Sequence, residues 1–213
     1  MKTIIICLIV ILGVGMLAAE TNPLKDYFAN PTVQSFAAAW DLYADKLAQD
    51  STQIIVRITL ATLANIEASR LTQSILPGAD TLSAGSKFQF ANLLLAQNKY
   101  DDAIDLYEDL NLTYPTWSCP WRHKGEALYS LRRYKDAELS LKQAIATNIE
   151  HYDAYVWMAK TQFQLKKYKA ALANLETALT LNPEAEESPD ETLSDESIRA
   201  LHEELLKRTG KKK

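Results

Sequence analysis

Three segments of this 213-residue chain repeat one pattern in register: Lys99-Tyr100 with Ala103, Arg133-Tyr134 with Ala137, and Lys167-Tyr168 with Ala171. Each copy follows the last by 34 residues. A period of that size limits the fold more tightly than composition does, because each unit buries its apolar face only by stacking on its neighbours. Frames Ala84–Trp117, Ser118–His151 and Tyr152–Ala185 align without a gap. Each frame predicts two helices joined by a short turn at the basic–Tyr pair. The second helix carries apolar residues at helical spacing: Ile104, Leu106, Tyr107 and Leu110, then Leu139, Leu141, Ala144 and Ile145, then Leu172, Leu175, Ala178 and Leu179. Small residues are expected where the paired helices approach closely: Ala91, Gly125 and Ala159 on the first helix, Ala103, Ala137 and Ala171 on the second. Pro115 and Pro183 stop the second helix, since proline lacks an amide donor and clashes with the preceding turn. Ile149 stands at that place in the middle copy, which predicts a less abrupt end near Asn148.

Lined up, the copies read Lys87, Ala91, Leu94, Tyr100, Ala103, Tyr107, Leu110 and Pro115, then Trp121, Gly125, Leu128, Tyr134, Ala137, Leu141 and Ala144, then Tyr155, Ala159, Gln162, Tyr168, Ala171, Leu175, Ala178 and Pro183. This order of large, small, aromatic, Ala and closing Pro resembles the tetratricopeptide repeat over about half the chain. The resemblance implies an all-α, right-handed helical-repeat solenoid of paired helices with terminal capping helices. It implies a non-enzymatic protein–protein interaction scaffold or assembly adaptor that needs no cofactor. In that family the first helices line a concave groove. Carried over, the candidate partner-binding residues are Phe88, Asn92 and Leu95, then Arg122, Glu126 and Tyr129, then Asp153, Val156, Lys160 and Phe163. Their mixture suits a peptide or helix with apolar anchors and polar handles. One subgroup grips the acidic tail of heat-shock chaperones with Lys, Asn and Arg. Only Asn92 fits that clamp; Phe88, His123, Asp153 and Trp157 stand at its other places, and Asp153 would repel a carboxylate. A chaperone-tail partner is not expected.

The ends differ in kind. Lys2 precedes an apolar run from Ile4 to Ala19, closed by small residues before Glu20. That pattern predicts a signal peptide over residues 1–19, or, if retained, a membrane anchor, although the run is short of the ~20 residues of a span. Either way the body is expected to be exported, to a bacterial periplasm or envelope. A free adaptor and a membrane-anchored structural subunit of a larger envelope complex are the two readings. Cys7 lies in the run and follows Ile6, which does not suit lipidation, and Cys119 reads as a small packed residue.

Residues 20–30, with Asn22-Pro23 and Asn30-Pro31, read as an extended linker. Val33, Phe36, Trp40, Tyr43 and Leu47 then form an amphipathic stripe. Ser51 to Ile75 runs without Gly or Pro, so residues 31–83 read as a divergent capping hairpin ended by Pro77-Gly78. Residues 186–213 read as a capping helix and basic tail. Its predicted start is Ser188-Pro189-Asp190-Glu191, and Ile198, Leu201 and Leu205 form its seam.

No motif for catalysis stands out. His123, His151 and His202 are too scattered for a metal motif, and the acidic stretch Glu184 to Glu196 lacks calcium-loop spacing. Asn111-Leu112-Thr113 matches a glycosylation acceptor. The formal net charge of −4 does not suit nucleic acid, which calls for a basic face.

Overall fold

The computed structural model describes residues 22–50, 52–181 and 195–211. The apolar N-terminal run, Pro183, most of the acidic stretch and the proposed helix start at Ser188 lie outside the described residues. Those described form ten α-helices and a 3-10 turn, with no strand among them. They divide into two compact units at residues 76 and 77.

The first unit holds α1 (Pro23–Ala29), α2 (Val33–Gln49) and α3 (Ile54–Ile75). The expected extended linker is therefore a short helix. Asn22 caps it through Oδ1, which accepts from the Leu24 amide at 3.1 Å, and Pro23 takes the first turn, where no amide donor is needed. Burial of Leu24 and Tyr27 against α2 and α3 decides the conformation. Tyr27 donates from its hydroxyl to Glu67 Oε2 at 2.9 Å, and Arg70 Nε donates to the same oxygen at 2.9 Å. Thr32 and Ser35 form a reciprocal capping box at the start of α2. The next helix begins at Ile54 rather than Ser51, because Asp50 turns the chain by accepting from the Thr52 amide at 3.0 Å. A 3-10 turn, Leu76–Thr81, follows Ile75.

The second unit contains the repeats: α4 (Ala84–Ala96) with α5 (Tyr100–Thr113), α6 (Ser118–Ser130) with α7 (Tyr134–Thr147), and α8 (Tyr152–Gln164) with α9 (Tyr168–Thr180). From α4 to α9 each helix packs on the next, and α4, α6 and α8 also touch in series, so the first helices form one wall. Five of the six small residues named above are fully buried alanines, and Gly125 is buried against Leu141. A methyl group on Gly125 would sit 2.5 Å from Leu141 Cγ.

One local detail departs from expectation. The middle pair ends as sharply as the others, at Thr147, because Asn148 Oδ1 accepts from the Glu150 amide at 3.0 Å and turns the chain without a proline. The turns inside the pairs are all Schellman closures, with Asn98, Arg132 and Lys166 left-handed at φ 59, 60 and 61°. In each, the following amide reaches back five residues, Lys99 to Leu94, Arg133 to Leu128 and Lys167 to Gln162, at 2.8–2.9 Å.

The last helix, α10 (Asp195–Thr209), packs on α9 and α8. Ile198, Leu205 and Leu206 join the core of the third pair, with Leu201 partly buried beside them. Gly210, at φ 69°, closes the helix. Asn111 is buried inside α5, so the folded chain does not present it for glycosylation.

Candidate functional site

The candidate site is the wall made by α4, α6 and α8. Phe88 on α4 lies 4.7 Å from the Trp117 ring and meets His123 edge-on at 5.3 Å. His123 stacks on Tyr107 at 5.8 Å, and Tyr107 donates its hydroxyl to Asn92 Oδ1 at 2.7 Å. Asn92 is thus held from behind. Leu95, one turn on, is half-buried against the core of the first two pairs.

Charge concentrates on α6 and the start of α8. Arg122 pairs with Glu126 one turn along α6, and its second guanidinium nitrogen reaches Asp153 of α8 at 3.6 Å. His123 Nδ1 lies 3.4 Å from the Glu126 carboxylate. Burial pushes the His123 imidazole below its ordinary range, outweighing the pull of Glu126 toward the charged form. His151, just ahead of α8, is pushed down by burial and then by the Arg122 charge. Both imidazoles are therefore neutral near pH 7, and two carboxylates face one guanidinium.

Toward the far end the wall turns aromatic. Tyr129 meets Tyr134 and Trp157 edge-on at 5.4 and 5.3 Å, and its hydroxyl accepts from Gln164 Nε2 at 3.3 Å. Lys160 holds Nζ 4.6 Å from the Trp157 ring. Phe163 meets Tyr168 edge-on at 5.5 Å.

One candidate is not exposed on this wall. Val156 is fully buried, within the core shared by α7 to α10. The third first-helix buries more of its residues than α4 or α6, and α10 packs on it as well. The other nine candidates keep some exposure. Two residues of the site were not among the candidates, His123 and His151. Their only sequence signal is position, one residue after Arg122 and two before Asp153. Cys119, free and half-buried, opens the same face of α6. Among the described residues no three His, Cys, Asp or Glu side chains gather as a metal site.

Residues 123–186 match the family described as tetratricopeptide repeat. The chain carries tetratricopeptide repeats. Human tetratricopeptide repeat protein 21A is 30% identical to it over 140 residues, 64% of this chain and 10% of that protein. The chain thus spans about a tenth of the length of that curated relative. Among solved structures, the first repeat domain of Spaghetti (RPAP3), bound to an HSP90 peptide, superposes with a TM-score of 0.52 at 22% identity, over 60% of this chain and 93% of that one. The Sgt2 repeat domain of Aspergillus fumigatus gives 0.52 at 17% identity, over 60% and 79%. At such identities the likeness is one of fold. The tetratricopeptide frame gives the wall its place, since α4, α6 and α8 are the first helices of the three repeats.

Proposed function

We propose that this chain is a non-enzymatic protein-interaction scaffold that receives a peptide or helix of a partner protein on the α4–α6–α8 face. The observation that carries this reading is the continuous wall itself. It sets half-exposed apolar side chains, Phe88, Leu95, Tyr129 and Phe163, beside polar ones held by neighbours, Asn92, Arg122, Glu126 and Asp153. Such a surface offers anchors and hydrogen-bonding groups that need little further ordering on binding. The Spaghetti domain in the same fold was solved with a peptide bound. Two clefts of about 480 and 530 Å³ flank α7 elsewhere, both touching Leu139 and Lys142, and none of the ten candidates lines them. They are shallow gaps beside ion pairs such as Lys167–Glu138 and Lys124–Glu108, so the wall is the better interface.

A chaperone-tail grip does not suit these side chains. Asn92 is engaged by Tyr107, Trp157 is in the core and Asp153 is anionic. The chain works, in this reading, in a bacterial periplasm or envelope, to which residues 1–19 direct it. Among the described residues no helix is long and apolar enough to cross a membrane. N-terminal sequencing of the native protein tests the address: a start near Glu20 fits a released adaptor, an intact Met1 a tethered subunit.

The interface is tested by co-purification from the native host with wild type and the Asp153→Lys/Lys160→Glu variant. The variant preserves net charge and alters only half-exposed side chains. A specific protein recovered with wild type and lost with the folded variant is the expected result; equal recovery would reject the wall as the interface.

A further inference from the structure

We propose that the segment received by this wall carries a basic side chain that docks on Asp153. The inference rests on the interface reading above and gives it a sign of charge. In the Arg122–Glu126–Asp153 cluster the side chains are 13%, 16% and 32% exposed, so the guanidinium lies beneath and the Asp153 carboxylate faces outward. A ligand therefore meets an anion first. Arg122 holds that anion in place and neutralises only one of the two carboxylates. His123 and His151, the titratable groups nearest by, add no positive charge near neutral pH.

The one cation farther along the predicted face, Lys160, lies seven residues on in α8 and sits over Trp157. Seven residues of helix are about 10 Å, beyond the ~8 Å screening length of physiological salt, so Lys160 does little to offset Asp153. A carboxylate offers about four lone-pair sites, and one long contact to Arg122 leaves most of them for an incoming ammonium or guanidinium. Phe88 and Tyr129 lie on the neighbouring first helices and give such a segment apolar anchors. An acidic tail would meet Asp153 unfavourably.

The test is a selection from random dodecapeptides, displayed both internally and with free C-termini, on the full chain. Wild type is expected to enrich Lys or Arg together with large apolar residues. Asp153→Lys should reverse the enriched charge to Asp or Glu. A synthetic, fluorescein-labelled form of the leading wild-type peptide should bind Asp153→Asn about tenfold more weakly by anisotropy. Enrichment of acidic tails by wild type, or the same basic preference on Asp153→Lys, would overturn the proposal. Loss of binding on Asp153→Lys/Lys160→Glu without any preference of charge would sink the basic side chain but leave the interface. Peptides indifferent to both variants, or no enrichment at all, would reject the interface as well. Thermal melts followed by circular dichroism establish that each variant is folded.

Discussion

Gly125 carries no side chain because Leu141 fills the space where one would begin. An added Cβ would lie 2.5 and 2.8 Å from Leu141 Cγ and Cδ2, and Leu141 is fully buried. Gly125→Ala should destabilise the chain by about 1–3 kcal/mol, the usual cost of overpacking. Urea unfolding measures it, and shortening the neighbour in Gly125→Ala/Leu141→Val should recover part of the loss. Asn111 is the opposite case. It is buried in α5, and neither its amide nitrogen nor its oxygen has a hydrogen-bond partner among the described residues. The corresponding positions in the other repeats hold Ile145 and Leu179. Asn111→Leu should therefore stabilise by about 1–2 kcal/mol, because an unpaired buried amide costs that much. A lower urea midpoint in this variant would mean that the amide is satisfied by ordered water.

Within each repeat, the turn between helices is built from a left-handed residue that is not glycine. Asn98 suits that conformation, but Arg132 and Lys166 carry its full steric cost. Replacing either with Gly should stabilise by about 1 kcal/mol, provided that the Schellman hydrogen bonds persist. The gain should appear in the urea midpoint of Arg132→Gly and Lys166→Gly and be absent in Asn98→Ala. At the C-terminal end, α10 is held through Ile198, Leu205 and Leu206. Leu205→Ala should cost about 3 kcal/mol, because the side chain is fully buried and its removal leaves a cavity. A value near zero would mean that α10 contributes little to the stability of the repeats.

Across the whole molecule, acid should weaken the fold before it titrates most carboxylates. His123 and His151 are held neutral in the folded state below their ordinary range, while in the unfolded chain they take up protons near pH 6.5. As pH falls below about 6.5 the unfolded state binds more protons, so their contribution is intact above that pH and is lost on the way down to the folded-state values. The melting temperature should drop as the pH falls below about 6.5, and His123→Asn/His151→Asn should flatten that slope. An unchanged slope would place the acid sensitivity in other groups. The cluster around Arg122 is therefore maintained as a neutral-pH arrangement, and the sign of charge that it offers a partner belongs to that range.

The repeats and the small residues at the helix contacts were legible in the chain, because stacking imposes one local pattern three times and each copy corroborates the others. The second-helix stop at Asn148 was misread for want of a proline, although an Asn side chain ends a helix by turning on its own backbone. The helix at Pro23 was missed because seven residues are too few to show a period, and what holds it is burial of Leu24 and Tyr27, with a hydrogen bond from Tyr27 to Glu67, 40 residues away. The face of the first helices followed from family position, yet its character did not. Val156 is buried in a core to which α7, α9 and α10 contribute, and Arg122 lies beneath Asp153 because two repeats stack. Apart from α1, sequence alone determined which helices form and in what order, since propensity and periodicity act over a few turns. Burial, charge state and the outward-facing carboxylate were decided by tertiary structure, because each depends on neighbours brought in from another repeat.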